Sequence, residues 1–519
     1  MAAMTPTMRC AVLACLAPIC GVMLAGCNDT SDLAPPSAST PWQISPQAHA
    51  NFGHGSSSGR AADKIGEQHF DVASNAALPW PQSSDTIDLS HVYPLLDLID
   101  LAQRRNRTTR IAWEQARQAA IDVGISRAAY LPTLTASAMG GFERIASPFP
   151  PNFVPRGYIT ADAQEVLPEL AIRYLLLDFG SRKAATEVAK QQSFAANVSF
   201  TAAHQALILN VAKAYFTLDG VNAQLKAAHQ AFDNATMLQR SAEAMYAHGL
   251  GTIVNVQLAR RGAAQAVFDI AAATGAQHEA MDTLLAVLEL PPTTKLLVAD
   301  NSTQPLPRGT GETVDALLQD ALQYRPDLLA DLARLRASDA GIAEARSEFY
   351  PKLSISANVQ GNVGEISVDG GRYQSVTQPQ AGLFLRFDWP LYQGGLLRNR
   401  LRVAQSKRAE AEDALEEGND QALRQVALAY DEVETGLSQY DAAMALHTAS
   451  QAAFDASSQA YAHGVGTLTD AVNAQTALAS AQATVVRTHA QSLVNAAALA
   501  FATGTLTSGL APGLSGGTP

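Results

Sequence analysis

The heptapeptide Tyr246-Ala247-His248-Gly249-Leu250-Gly251-Thr252 returns as Tyr461-Ala462-His463-Gly464-Val465-Gly466-Thr467, an offset of 215 residues from Gly249 to Gly464. Each copy lies near the middle of a long stretch without proline, residues 180–290 and 391–511. Both stretches are rich in Ala, Leu, Gln, Glu and Arg, which favour helix, and both are far longer than an ordinary globular helix. The spacing therefore predicts two very long helical hairpins, each reversed at a paired-glycine tip, with coiled-coil-like packing rather than a compact domain. A helix over 180–247 spans on the order of 100 Å.

The repetition extends outward from the tips. Gly180 pairs with Gly395 and Val188-Ala189 with Val403-Ala404 at the same offset, while Tyr130-Leu131-Pro132 pairs with Phe349-Tyr350-Pro351 at an offset of 219. A unit of this length is a duplicated structural half, not a solenoid repeat. The organisation expected from it is a first repeat over 91–290, a Pro-rich linker over 291–310 and a second repeat over 311–506. Amphipathic helix is expected over 92–103 and about 107–129, ahead of Pro132.

Between the proline and the glycine of each half the hydrophobic period drops to two. Leu353, Ile355, Ala357 and Val359 alternate with polar residues, as do Leu383, Leu385, Phe387, Trp389 and Leu391 further on. Period two predicts strands. The first half carries a weaker version over 133–142 and 172–179. Each half is thus a strand hairpin, about 133–179 and 352–391, followed by a helical hairpin, about 180–290 and 394–505. Four strands with one apolar side cannot close a membrane barrel, which takes at least eight, so three copies supplying twelve strands are expected. Phe179, Tyr350, Trp389 and Tyr392 fall at strand ends, where an interfacial aromatic belt sits. The plainer alternative is a soluble strand pair packed on helices.

The amino terminus has a separate logic. All four cysteines, Cys10, Cys15, Cys20 and Cys27, lie in the first twenty-seven residues, so the rest of the chain has no thiol for a disulfide, a zinc site or a nucleophile. Arg9 precedes an apolar run, residues 11–24, too short to span a bilayer and fitting a secretory signal. The run ends in Leu24-Ala25-Gly26-Cys27, which resembles the lipobox of bacterial lipoproteins. That resemblance implies a signal peptide over 1–26 and lipidation of Cys27, and Asn28 implies outer-membrane delivery. Residues 27–90, rich in Pro, Ser, Ala and Gly, read as a flexible tether, and residues 507–519 as a disordered tail.

With 36 Lys+Arg against 48 Asp+Glu the formal charge is -12 and no long basic run occurs, which argues against nucleic-acid binding. No phosphate loop, nucleophile elbow or HExxH motif is present, so neither an enzyme nor a cofactor is expected. His248 and His463 recur because the turn is duplicated, and each lacks a second ligand at zinc spacing.

The order helix, strand hairpin, long helical hairpin, Pro-rich joint, then the same again is similar to the TolC family of outer-membrane efflux proteins, in its lipid-anchored branch. Tyr130-Leu131-Pro132, Phe179-Gly180, Tyr392-Gln393-Gly394-Gly395 and the two tips carry the likeness, over about residues 92–505. The resemblance implies a mainly α fold with membrane β: a homotrimer whose duplicated helical hairpins form an α-barrel tunnel joined to a 12-stranded β-barrel. It implies a passive exit duct of a tripartite efflux system, in outer-membrane lipid and extending into the periplasm, partnered by a periplasmic adaptor and an inner-membrane pump. The alternative reading is a non-channel periplasmic coiled-coil adaptor or structural lipoprotein.

The family also suggests residue roles. Asp470 matches an acid at the periplasmic entrance constriction, whereas Asn473 and Asn255 stand where acids would enlarge that ring. The adaptor-contacting tips would be Gly249, Leu250, Gly251 and Thr252 with Gly464, Val465, Gly466 and Thr467. For Thr467 and Asp470 a local explanation stands beside the functional one, namely an N-cap and an acid in the first helical turn.

Overall fold

A computed structural model describes residues 88, 90–302, 304–306 and 313–506. The signal peptide, Cys27, most of the tether (27–87 and 89) and the tail over 507–519 lie outside the described residues. The described chain runs β1 (Val92–Tyr93), α1 (Leu95–Arg105), α2 (Arg107–Ala128), β2 (Thr133–Pro148), β3 (Tyr158–Leu177), α3 (Ser181–Ala247) and α4 (Ile253–Val287). It continues as β4 (Leu297–Val298), α5 (Val314–Tyr324), α6 (Pro326–Ser347), β5 (Lys352–Val368), β6 (Gln374–Asp388), α7 (Leu396–Ala462) and α8 (Leu468–Ala502). The duplication is exact in the helices: α1 and α5 have 11 residues each, α2 and α6 have 22, α3 and α7 have 67, and α4 and α8 have 35.

Two expectations need correction. The amphipathic segment expected over 92–103 begins as strand, because the Pro94 ring disfavours helical backbone at the preceding Tyr93, and the helix starts only at Leu95. Val92 and Tyr93 pair in parallel with Leu297 and Val298, so the segment between the halves includes a strand as well as a Pro-rich joint. The membrane-type strands are also longer than the alternation suggests. β2 runs to Pro148, β3 starts at Tyr158, and β5 and β6 reach Val368 and Gln374, because the ladder continues where the apolar face gives way to Arg144, Asp162, Glu365 and Ser375 and the period fades. At its other end β6 stops at Asp388 rather than Leu391, since Pro390 cannot donate to a ladder.

The described chain divides into two compact units. One comprises residues 117–195 and 331–414 and holds the four-stranded antiparallel sheet, in the order β2-β3-β5-β6. β3 pairs with β5 across the two halves, from Ala161 with Val368 to Leu177 with Leu353. The other unit, residues 88–116, 196–330 and 415–506, is helical apart from β1 and β4. Its largest core packs Leu98 and Ile99 of α1 with Tyr215 and Leu218 of α3, Leu284 of α4 and Leu493 of α8. α5 adds Leu317 and Ala321 against Val426, Val433 and Leu499. Small residues set the close approaches: a Cβ at Gly220 would lie 2.6 Å from the Ala490 Cβ, and one at Gly436 would lie 3.2 Å from Ser492 Oγ.

A polar cluster holds the segment between the halves in this unit. Asp219 accepts from Asn301 N at 2.9 Å, the Tyr215 hydroxyl donates to Ala299 O at 3.2 Å, and Lys226 pairs with Asp300. Burial, helped by the charges of Asp219 and Asp300, pushes the Tyr215 hydroxyl up to about 12, while bonds from Lys226 and Ser302 hold Asp300 at about 2.

Candidate functional site

The registers sort the sheet residues onto two faces. One face carries Leu134, Ala136, Ala138 and Phe142 on β2, Val166, Leu170, Ile172 and Tyr174 on β3, Leu353, Ile355, Val359 and Val363 on β5, and Leu383, Leu385 and Phe387 on β6. The opposite face carries Thr133, Thr135 and Ser137, then Glu165, Glu169 and Arg173, then Ser354, Ser356, Asn358 and Asn362, then Gln380 and Arg386, interrupted by Met139, Leu167, Leu175 and Phe384. The apolar band covers nine residues on β2 and eleven on β5, the length with which a tilted strand crosses the hydrocarbon of a bilayer. Beyond it, on the same face, Arg144 and Asp162 form a two-bonded ion pair. The outermost strands, β2 and β6, each have one edge without a strand partner among the described residues.

On the polar face Asn358 Nδ2 donates to Glu169 Oε1 at 3.4 Å and Asn362 Nδ2 to Glu165 Oε2 at 2.5 Å. Sequence reasoning did not single out these carboxylates. Their period-two spacing within a run that also contains Leu167 was the available signal.

Each hairpin passes into a long helix through two consecutive residues of positive φ, Phe179 (50°) with Gly180 (96°) and Gly394 (59°) with Gly395 (86°). At the first joint Asp178 caps α3. Its carboxylate accepts from Arg182 N at 2.8 Å and Arg182 Nε at 2.9 Å, and Arg182 donates onward to Leu175 O at 2.8 Å. Burial pulls the Asp178 carboxyl upward, but the Arg182 backbone and guanidinium outweigh it and hold the group below the usual carboxylate range. This pair was also missed, although an Asp four residues ahead of an Arg at a helix start was its signature. Around the joints Phe179 stacks on Tyr350 with centroids 5.4 Å apart, and Trp389 Nε1 donates to Phe349 O at 3.2 Å. Phe179, Tyr350, Trp389 and Tyr392, the four aromatic residues named from sequence, are all exposed.

The tips differ in detail. Both helices end in a left-handed glycine, Gly249 and Gly464, with Leu250 N bonding Met245 O and Val465 N bonding Ala460 O at 2.9 Å. The second glycines serve space rather than φ: a Cβ at Gly466 would meet that of Ala460 at 2.9 Å. Thr252 caps α4 through Asn255 N at 3.3 Å, and Thr467 caps α8 through Asp470 N at 3.2 Å. Only the second cap is reciprocal, the Thr467 hydroxyl donating to Asp470 Oδ2 at 2.7 Å. Tyr461 is buried with Leu468, Ala471 and Leu238, whereas its counterpart Tyr246 is exposed. Leu250, Val465, Asp470, Asn473, His248 and His463 are exposed and Asn255 is half-buried. Among the described residues no group of three or more His, Cys, Asp or Glu is placed to hold a metal ion, and no helix is long and apolar enough to cross a membrane.

A sheet of bilayer height with one apolar and one polar face, continued into long helical hairpins, defines the class: a membrane channel subunit. Residues 98–288 and 317–505 match the model of the outer membrane efflux protein family, and the chain belongs to that family. It is 28% identical to outer membrane protein OprJ of Pseudomonas aeruginosa over 71% of this chain and 75% of OprJ. It is 28% identical to protein CyaE of Bordetella pertussis over 82% of this chain and 87% of CyaE. The open-state MtrE outer membrane channel of Neisseria gonorrhoeae superposes with a TM-score of 0.64 at 26% identity, covering 80% of this chain and 91% of MtrE. The chain is thus an outer-membrane efflux channel, mainly α with membrane β, serving as exit duct of a tripartite efflux system. Its family consists of channels rather than enzymes.

Proposed function

We propose that three copies close into a twelve-stranded barrel, with the apolar sheet face to lipid and the polar face lining an aqueous lumen, and that the helical hairpins form the periplasmic tunnel beneath it. The observation that carries this reading is the pairing of a two-faced sheet with open edges on β2 and β6, since a bilayer supplies no hydrogen-bond partner for an exposed edge. Cargo then moves passively through the lumen while an inner-membrane pump supplies the energy. A periplasmic adaptor docks on the tips, where Leu250 and Val465 offer exposed apolar side chains between the glycines. Asp470, repeated around the threefold axis, forms the entrance ring, with Asn255 and Asn473 beside it. Acylation of Cys27 anchors the amino terminus in the same membrane.

Detergent-solubilised protein is expected to have the mass of three chains and to conduct in planar bilayers. A monodisperse monomer without conductance would refute closure. Separately, Cys27→Ser should abolish metabolic palmitate labelling, and a mutant that still labels would refute the anchor alone.

A further inference from the structure

We propose that Arg398 and Arg402 of α7, with Lys183 of α3, form a cationic collar that binds the anionic phosphodiester headgroups of the leaflet bordering the helix-bearing end of the sheet. The proposal rests on the membrane reading of the sheet and adds a lipid partner to it.

Helices normally place acids in their first turn, where the dipole is positive. α1, α5, α6 and α8 do so with Asp97, Asp315, Asp327 and Asp470. α2, α3, α4 and α7 have no first-turn acid, and of these the two that emerge from the sheet, α3 and α7, begin Ser181-Arg182-Lys183 and Leu396-Leu397-Arg398. In α7 the basic run Arg398, Arg400, Arg402, Lys407, Arg408 contains no acid, and six acids follow between Glu410 and Asp420. A chain of net charge -12 thus concentrates cations where its own backbone disfavours them.

Some of these cations are already engaged. Arg182 is paired with Asp178, Arg400 with Glu348 at 3.0 Å, and Arg408 with Asp339 and Glu412. Arg398 and Arg402 are exposed and form no ion pair among the described residues, and Lys183 is exposed one turn from Glu187. They share one compact unit with the sheet and follow directly on Trp389, Leu391 and Tyr392, which end the apolar alternation and are 56%, 80% and 88% exposed. Arg398 and Arg402 are one turn apart, an axial rise of about 6 Å, which matches the depth of a headgroup layer.

The test uses the full chain with Trp42, Trp80 and Trp113 changed to Phe, leaving Trp389 as the reporter, in vesicles of brominated phosphatidylglycerol or brominated phosphatidylcholine. At low ionic strength phosphatidylglycerol should quench preferentially, with a relative affinity on the order of fivefold. The preference should fall toward unity in about 0.5 M salt and in R398Q/R402Q. The unaltered chain gives a second reading, the ratio of the two lipids it retains after extraction from mixed vesicles. Equal quenching and equal retention would overturn the collar, as would an undiminished preference in R398Q/R402Q. A shift in cation-to-anion permeability with unchanged lipid preference would also overturn it, placing the guanidiniums on the lumen. Quenching by neither lipid would instead refute membrane insertion itself.

Discussion

The two joints where strand becomes long helix follow one backbone path with different side chains. Phe179 and Gly394 occupy equivalent positions at φ of 50° and 59°, and Gly180 and Gly395 follow at 96° and 86°. The second joint meets the left-handed requirement with glycine at both places, Gln393 before them and Leu397 after. The first places a phenylalanine in a conformation that costs a non-glycine residue about 1 kcal/mol or more. It holds that residue with Asp178 and Arg182, absent from the other half, and with the stack of Phe179 on Tyr350. Turn geometry is therefore set by the architecture, and its chemical support is free to diverge between repeats.

The largest effect should come from removing the charged support. The Arg182 and Asp178 side chains are only 12% and 8% exposed, so Arg182→Ala leaves a buried carboxylate without its partner. The expected loss is about 3 kcal/mol, seen as a lower melting temperature of the detergent-solubilised oligomer. Gln393→Ala at the equivalent place should change stability by less than about 0.5 kcal/mol. Equal losses at both joints would break the comparison.

Next in size is the left-handed requirement itself. A Cβ at Gly395 meets nothing within 4 Å, so Gly395→Ala tests φ alone and should cost about 1–2 kcal/mol in the same melting measurement. Phe179→Gly should be nearly neutral, because relief of about 1 kcal/mol is offset by a lost aromatic stack worth about 0.5–1.5 kcal/mol. A large loss there would mean that the phenyl ring, not the turn, organises the first joint.

A smaller, pH-dependent effect follows from the Asp178 carboxyl lying below its ordinary value in the folded chain. A depressed carboxylate stabilises fully above its unfolded pKa, about 3.9, and that contribution disappears as pH falls through the folded value. The stability gap between wild type and Asp178→Asn should therefore be constant from about pH 5 upward and close below about pH 4. A gap that widens in acid would reverse the assignment.

The same contrast between geometry and support explains what the sequence makes legible. Helix lengths, tips and duplication follow from proline-free runs and from glycines at Gly249, Gly464, Gly180 and Gly395, where the residue type itself encodes the conformation. The apolar band is equally plain on β5 and β6. The strand extensions toward Pro148, Tyr158, Val368 and Gln374 leave no such trace, since a ladder in water needs no alternation. The two-residue pairing of Val92–Tyr93 with Leu297–Val298 is too short to carry a period. A positive φ at Phe179 is invisible because nothing in its identity announces it.

The tips offer the finest version of the comparison, and the smallest expected change in stability. Thr252 and Thr467 cap their helices in the same way, but Asn255 faces the first cap and Asp470 the second, where its carboxylate also accepts the threonine hydroxyl at 2.7 Å. Asp470→Asn keeps the shape and a hydrogen-bond acceptor, so it should cost no more than about 0.5 kcal/mol. Its effect should appear in conduction instead. Three carboxylates around a narrow mouth attract multivalent cations, so a trivalent cation added on the periplasmic side should block single-channel current in wild type and much less in Asp470→Asn. The converse substitution, Asn255→Asp, makes the first tip resemble the second and should strengthen the block, because it enlarges the ring without disturbing the Thr252 cap. Equal block in all three proteins would show that the Asp470 carboxylate serves the Thr467 cap and nothing beyond it, and the entrance assignment would be withdrawn.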